Sequence, residues 1–105
     1  MASSHDPTRE EVDQWQGRAV LEFGNSWCPH CQAAAPLFQQ ARASRPPVEH
    51  HSIADGPGQP LGRSYRVKLW PTFIFLEDGQ EVARVVRPVS TEPLEEAFDK
   101  LGPGE

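Results

Sequence analysis

A chain of 105 residues and 11.7 kDa has room for one small domain, which excludes a multidomain machine. Nine aromatics and a hydrophobic share of 37% are too many for a disordered chain, and Gly plus Pro at 19 of 105 is too little for low-complexity disorder. The net charge of −5 repels phosphate backbones and anionic lipid, which argues against nucleic acid as a partner.

The first fifteen residues carry Asp6, Glu10, Glu11 and Asp13 and no apolar run, so they lack the basic start and apolar centre of a secretory signal. The expected location is cytoplasmic, with a periplasmic one left open if a signal peptide was removed. No stretch approaches the roughly 20 apolar residues that cross a bilayer, so no membrane association is expected. Residues 8–16 place Val12 and Trp15 three apart behind Thr8, with Glu11 at the third following position as in a capping box, which predicts a short first helix. Residues 18–23 (RAVLEF) read as a buried strand in which Glu22 is out of place.

A second helix is predicted from the cysteines onward. Pro29 suits its first turn, Ala34, Leu37, Phe38 and Ala41 fall at helical spacing, Pro36 should kink it, and Arg45-Pro46-Pro47 should end it. Residues 48–53 read as a strand, 55–62 as a loop, and 63–65 as a brief helical turn. Residues 72–76 and 81–87 form a β-hairpin around Glu77-Asp78-Gly79-Gln80. Residues 91–101 carry Leu94, Ala97, Phe98 and Leu101 at helical intervals, with Ser90 or Thr91 as cap and Gly102-Pro103-Gly104 as the stop. This order predicts an α/β domain over residues 1–105, ordered from about 8 to 101, in which helices flank a sheet with parallel strands early and an antiparallel hairpin late.

The two cysteines stand as Cys28-Pro29-His30-Cys31, directly after a predicted strand and at the start of a predicted helix. Residues three apart in a first helical turn have Cα atoms roughly 5 to 6 Å apart, within reach of a disulfide. Unpaired amides and the positive end of the helix dipole favour thiolate at Cys28, which is expected to be the exposed nucleophile, with Cys31 as the resolving thiol. Two other readings are weaker. A structural crosslink over so short a loop stabilises little, and zinc or copper held by Cys28, His30 and Cys31 lacks the fourth ligand of a closed zinc site. No metal and no cofactor is assigned. Gly56, Gly58 and Gly62 do not match a nucleotide loop, and Arg63, Arg66 and Lys68 read as a solvated basic cluster.

From about residue 8 to residue 101 the chain resembles the thioredoxin family. The likeness rests on the strand VLEF, on Trp27 immediately before the CxxC, and on Pro36 five residues past Cys31. It extends through Tyr65-Arg66-Val67, Trp70-Pro71-Thr72, the hairpin FIFLEDGQEVAR and the final helix. The resemblance implies a thioredoxin fold with Pro71 as a cis-proline beside the cysteines and Trp70 offering backbone groups to an extended substrate chain. It also implies Glu22 as proton acceptor for Cys31, in competition with a plain pairing to His50 or His51; strand alternation sends one of these two inward and one to solvent. His5 is assigned nothing.

The chain departs from the family in several places. Pro29-His30 reproduces the dipeptide of the oxidising DsbA enzymes, and an imidazole beside Cys28 would favour the reduced form. The 40 residues from Cys31 to Pro71 leave no room for the helical insertion of those enzymes. Trp70 is bulkier than the usual neighbour of the cis-proline, Arg87-Pro88 replaces an expected Gly, and the short amino terminus implies four strands rather than five. The resulting expectation is a thiol:disulfide oxidoreductase that reduces protein disulfides, receives electrons from a reductase protein and acts as a monomer. The alternatives are an extracytoplasmic oxidase or isomerase, and a non-catalytic thioredoxin-like module that binds proteins or carries metal.

Overall fold

Local signals place the first element. The computed structural model describes residues 6–101, and within it Thr8 caps α1 (Arg9–Asp13). The Thr8 hydroxyl accepts from the Glu11 amide at 3.1 Å while the Glu11 carboxylate accepts from the Thr8 amide at 2.9 Å, completing the capping box. Then follow β1 (Arg18–Gly24), α2 (Pro29–Ala43), β2 (Glu49–Ala54), α3 (Pro60–Ser64), β3 (Thr72–Glu77), β4 (Gln80–Val86) and α4 (Glu92–Lys100). Helix α2 runs through Pro36. Helix α3 includes Arg63 and Ser64 of the turn expected at 63–65 and starts three residues earlier, because Pro60 supplies the fixed φ that suits a helix's first turn. Thr91 caps α4 by position but makes no side-chain capping bond. The expected Gly102-Pro103-Gly104 stop and His5 lie outside the described residues.

The described residues form one four-stranded mixed sheet in the order β2-β1-β3-β4, parallel between β1 and β2 and antiparallel elsewhere. Alternation along β1 divides the core in two. Val20 faces α2 and α4 among Phe38, Phe73, Phe75, Leu94 and Phe98. Leu21 and Phe23 face α1 and α3 among Val12, Ile53, Leu61, Tyr65 and Ile74. Between β3 and β4, Asp78 (φ 52°) and Gly79 (φ 80°) both take left-handed conformations, as a two-residue type I′ turn requires. The hairpin tip is tied to the start of β1: the Gly17 amide donates to Asp78 Oδ1 at 2.8 Å, and the Asp78 amide donates to the Gly17 carbonyl at 2.9 Å. β2 and β4 are the sheet's edges, with Glu49 bonded to His51 on one and Glu81 paired with Arg84 on the other.

Candidate active site

The central strand β1 delivers the chain to a turn at Asn25 and Ser26, and α2 begins immediately beyond it. Cys28 is the N-cap of α2, in an extended conformation (φ −80°, ψ 119°), with Pro29 in the first helical turn. Its Sγ accepts from the Cys31 amide at 3.2 Å, doing the work of a capping oxygen with sulfur. Burial pushes the Cys28 thiol up. The Cys31 thiol, the amides of Cys31 and His30 and the charge of Arg87 outweigh it, and the thiol ends below its ordinary value. Burial pushes Cys31 the other way, to about 11, reinforced by its bond to Cys28 and by the charges of Cys28 and Glu22 and opposed by the Asn25 amide. Both thiols are free.

One expectation is corrected. Cys28 is not an exposed residue: it retains 4% of its accessible surface and Cys31 retains 7%. The Cys28 sulfur turns back over the first turn of α2 toward the Cys31 amide instead of projecting into solvent. Pro29 and His30, by contrast, are exposed. The His30 imidazole has no hydrogen bond among the described residues, and His30 acts on Cys28 through its amide.

The Trp70–Pro71 peptide bond is cis. Trp70 is anchored at both ends: its indole Nε1 donates to Asp55 Oδ2 at 2.8 Å, and its carbonyl accepts from Arg87 Nε at 2.8 Å. Its amide has no partner among the described residues. Arg87 adopts φ 49° and donates its own amide to the Pro71 carbonyl at 2.9 Å, so the end of β4 clasps the proline from the side. Trp27, 68% exposed, meets Trp70 edge to face at 5.7 Å. Asp55 in turn donates its amide to the Gly24 carbonyl at 3.0 Å and accepts from Asn25 Nδ2 at 2.9 Å through its own carbonyl. Its carboxylate lies against Gly62, where any Cβ would collide with it.

Glu22 and Cys31 line one cleft of about 440 Å³ with Gly24, Asn25 and Ser52. Glu22 Oε1 is 2.7 Å from His50 Nε2, an ion pair when the imidazole is protonated. The parallel register, Val20 opposite His50 and Glu22 opposite Ser52, puts the two side chains on the α2 face, where the His50 ring lies 4.5 Å from that of Phe38. His51 takes the opposite face and stacks on Trp15 at 4.5 Å. The expected division into one inward and one solvent-facing histidine is therefore replaced by two partly covered rings, because aromatic side chains flank both faces of β2.

Sequence reasoning passed over Gly24, Asn25 and Asp55. A Cβ at Gly24 would stand 2.5 Å from Cys31 Sγ, so the Cys31 sulfur occupies space that only glycine leaves open. The visible signal was a glycine followed by the turn formers Asn25 and Ser26 just before the cysteines. Among the described residues no group of three or more His, Cys, Asp and Glu side chains is arranged to hold a metal ion.

The family model described as thioredoxin matches residues 2–100. The chain belongs to the thioredoxin family. Thioredoxin H5 of Oryza sativa subsp. japonica is 34% identical over 96 residues, spanning 91% of this chain and 70% of that protein. The solved structure of reduced thioredoxin 2 from Pseudomonas aeruginosa PAO1 is 56% identical, superposes with a TM-score of 0.82 and covers 92% of this chain and 90% of its own. Thioredoxin NaTrxh from Nicotiana alata, 24% identical with a TM-score of 0.71, shares the fold. As a thioredoxin-family protein with its two cysteines in CxxC spacing, the chain is a thiol:disulfide oxidoreductase.

Proposed function

We propose that this protein reduces protein disulfides, with Cys28 attacking and Cys31 resolving. The observation that carries the assignment is the Cys28 sulfur on the Cys31 amide at the N-terminus of a 15-residue helix. The Cys28 thiolate attacks one sulfur of the substrate disulfide, forming a mixed disulfide and releasing the other sulfur as thiolate. Glu22 takes the Cys31 proton, and the Cys31 thiolate attacks Cys28 Sγ. This step closes the 28–31 disulfide and releases the second substrate sulfur. A reductase protein returns the pair to dithiol with two electrons. Such a cycle belongs to a reducing compartment, the cytoplasm, and needs one copy of the chain.

Pro29, the His30 amide and Arg87 act on the state of Cys28, while Trp27, Trp70 and cis-Pro71 form the groove beside it. The Trp70 amide is the open backbone donor for an extended substrate chain, since Arg87 already engages its carbonyl. In insulin reduction, Cys28→Ser should bring the rate down to the uncatalysed one, and retained activity would remove Cys28 as the attacking thiol. Alkylation by iodoacetamide should label Cys28 with a midpoint below that of free cysteine, whereas Cys31 should resist until pH approaches about 11. Equal midpoints would remove the division of labour. The Pro29-His30 dipeptide and the lowered Cys28 thiol support a second reading, oxidation or isomerisation of disulfides, because a stabilised thiolate favours the reduced enzyme. Titration against glutathione separates the two, a strongly oxidising potential favouring the second.

A further inference from the structure

Although the chain is acidic overall, four of its ten Lys and Arg residues gather around Trp70. Arg9, Arg45 and Arg84 pair with Asp13, Asp99 and Glu81, while Arg18 and Arg42 donate to the carbonyls of Pro47 and Val48. Lys100 lies at the end of α4. The remaining four, Arg63, Arg66, Lys68 and Arg87, surround Trp70. The first three line with it a cleft of about 400 Å³, and Arg87 reaches its carbonyl from the other side. All four are exposed, and none pairs with a carboxylate among the described residues. The acid within that cleft, Asp55, is already bonded to the indole. Exposed Leu69 and Trp27 supply apolar contact beside the charges.

We propose that these cations select substrates whose disulfide is flanked by acidic residues, an extended acidic segment lying across Trp70 with its carboxylates toward Arg63, Lys68 and Arg87. The inference rests on the groove assigned above to Trp70 and Pro71. Charge complementarity is the argument: a chain of net charge −5 repels an acidic partner on average, and the four cations around Trp70, which outnumber Asp55, offset that repulsion on the face bearing Cys28 and steer the partner there.

The test uses the full chain and three synthetic peptides with one internal disulfide each, flanked by Glu, Gln or Lys. At low salt, kcat/KM for the Glu peptide should exceed that for the Lys peptide by about tenfold, a ratio that falls toward one near ~0.5 M salt as screening shortens the reach of the charges. Arg63→Glu/Lys68→Glu should reverse the preference, and Arg63→Gln/Lys68→Gln, which keeps Arg66 and Arg87, should reduce it. Because each ratio is taken within one protein, a general loss of activity cancels. A ratio of one at low salt, or one unmoved by the double variants, overturns the proposal. If the Gln peptide is reduced without charge discrimination, only this inference falls; if none of the peptides is reduced, the groove assignment falls with it. Sedimentation at the same low salt should show one copy. A dimer that dissociates with salt or in the Glu double variant would assign the cations to a second acidic copy of the chain instead.

Discussion

The two faces of the sheet are built differently. On one, two long helices, α2 and α4, clamp a cluster of rings: Phe38 stacks on Phe73 at 5.0 Å and lies 5.6 Å from Phe98, which meets Phe75 edge to face at 5.0 Å. The other is covered by two five-residue helices and their loops, and Tyr65 buries its hydroxyl there with no partner among the described residues. Aromatic packing with several fixed ring contacts resists relaxation, whereas short helices on loops can yield. The rigid face holds α2 and therefore the cysteines. The yielding face carries the segment that leads to Trp70.

Substitutions can break or sharpen that contrast. The largest expected effect is on the aromatic face: Phe38→Ala should cost about 3–5 kcal/mol in urea unfolding, against about 2 kcal/mol for Leu61→Ala on α3, where the surroundings can close in. Equal losses would abolish the distinction. Gly24→Ala, at the end of the central strand where both faces meet, should cost about 1–3 kcal/mol by overpacking. It should also slow release of the mixed disulfide, since the added Cβ stands 2.5 Å from Cys31 Sγ; quenched-flow trapping of the intermediate reads that step. The smallest change is expected from Tyr65→Phe, which removes an unsatisfied buried oxygen and keeps the ring under the Arg9 guanidinium at 3.9 Å. Its stability should stay within about 1 kcal/mol of the parent or rise, and a loss beyond that would show the hydroxyl to be satisfied.

What could be read from the sequence was local. The capping box of Thr8 and Glu11, the Asp78-Gly79 turn and the Cys28-Pro29 helix start are each written within four residues, and each lies where its chemistry put it. The cis bond before Pro71 came from family resemblance, since nothing local distinguishes it from an ordinary proline. Features that depend on distant segments stayed hidden. The closeness of Glu22 to His50 follows from the β1–β2 register, the bond from Trp70 to Asp55 from the path of the chain through α3, fifteen positions apart, and the cover over Cys28 from the way its sulfur turns onto α2. Arg87 stood out as a departure from the family, yet its hold on Trp70 is visible only in three dimensions.

The charged borders of the sheet follow from the same need for openness. Under the proposed function a foreign strand lies beside Trp70, and the sheet's own edges carry further rows of unpaired amides and carbonyls that could be adopted as templates. Glu49 and His51 on β2, and Glu81 and Arg84 on β4, place ionisable groups along those rows. Stacking copies side by side would strip water from those groups, so the borders discourage fibril growth and leave the proposed groove as the open berth.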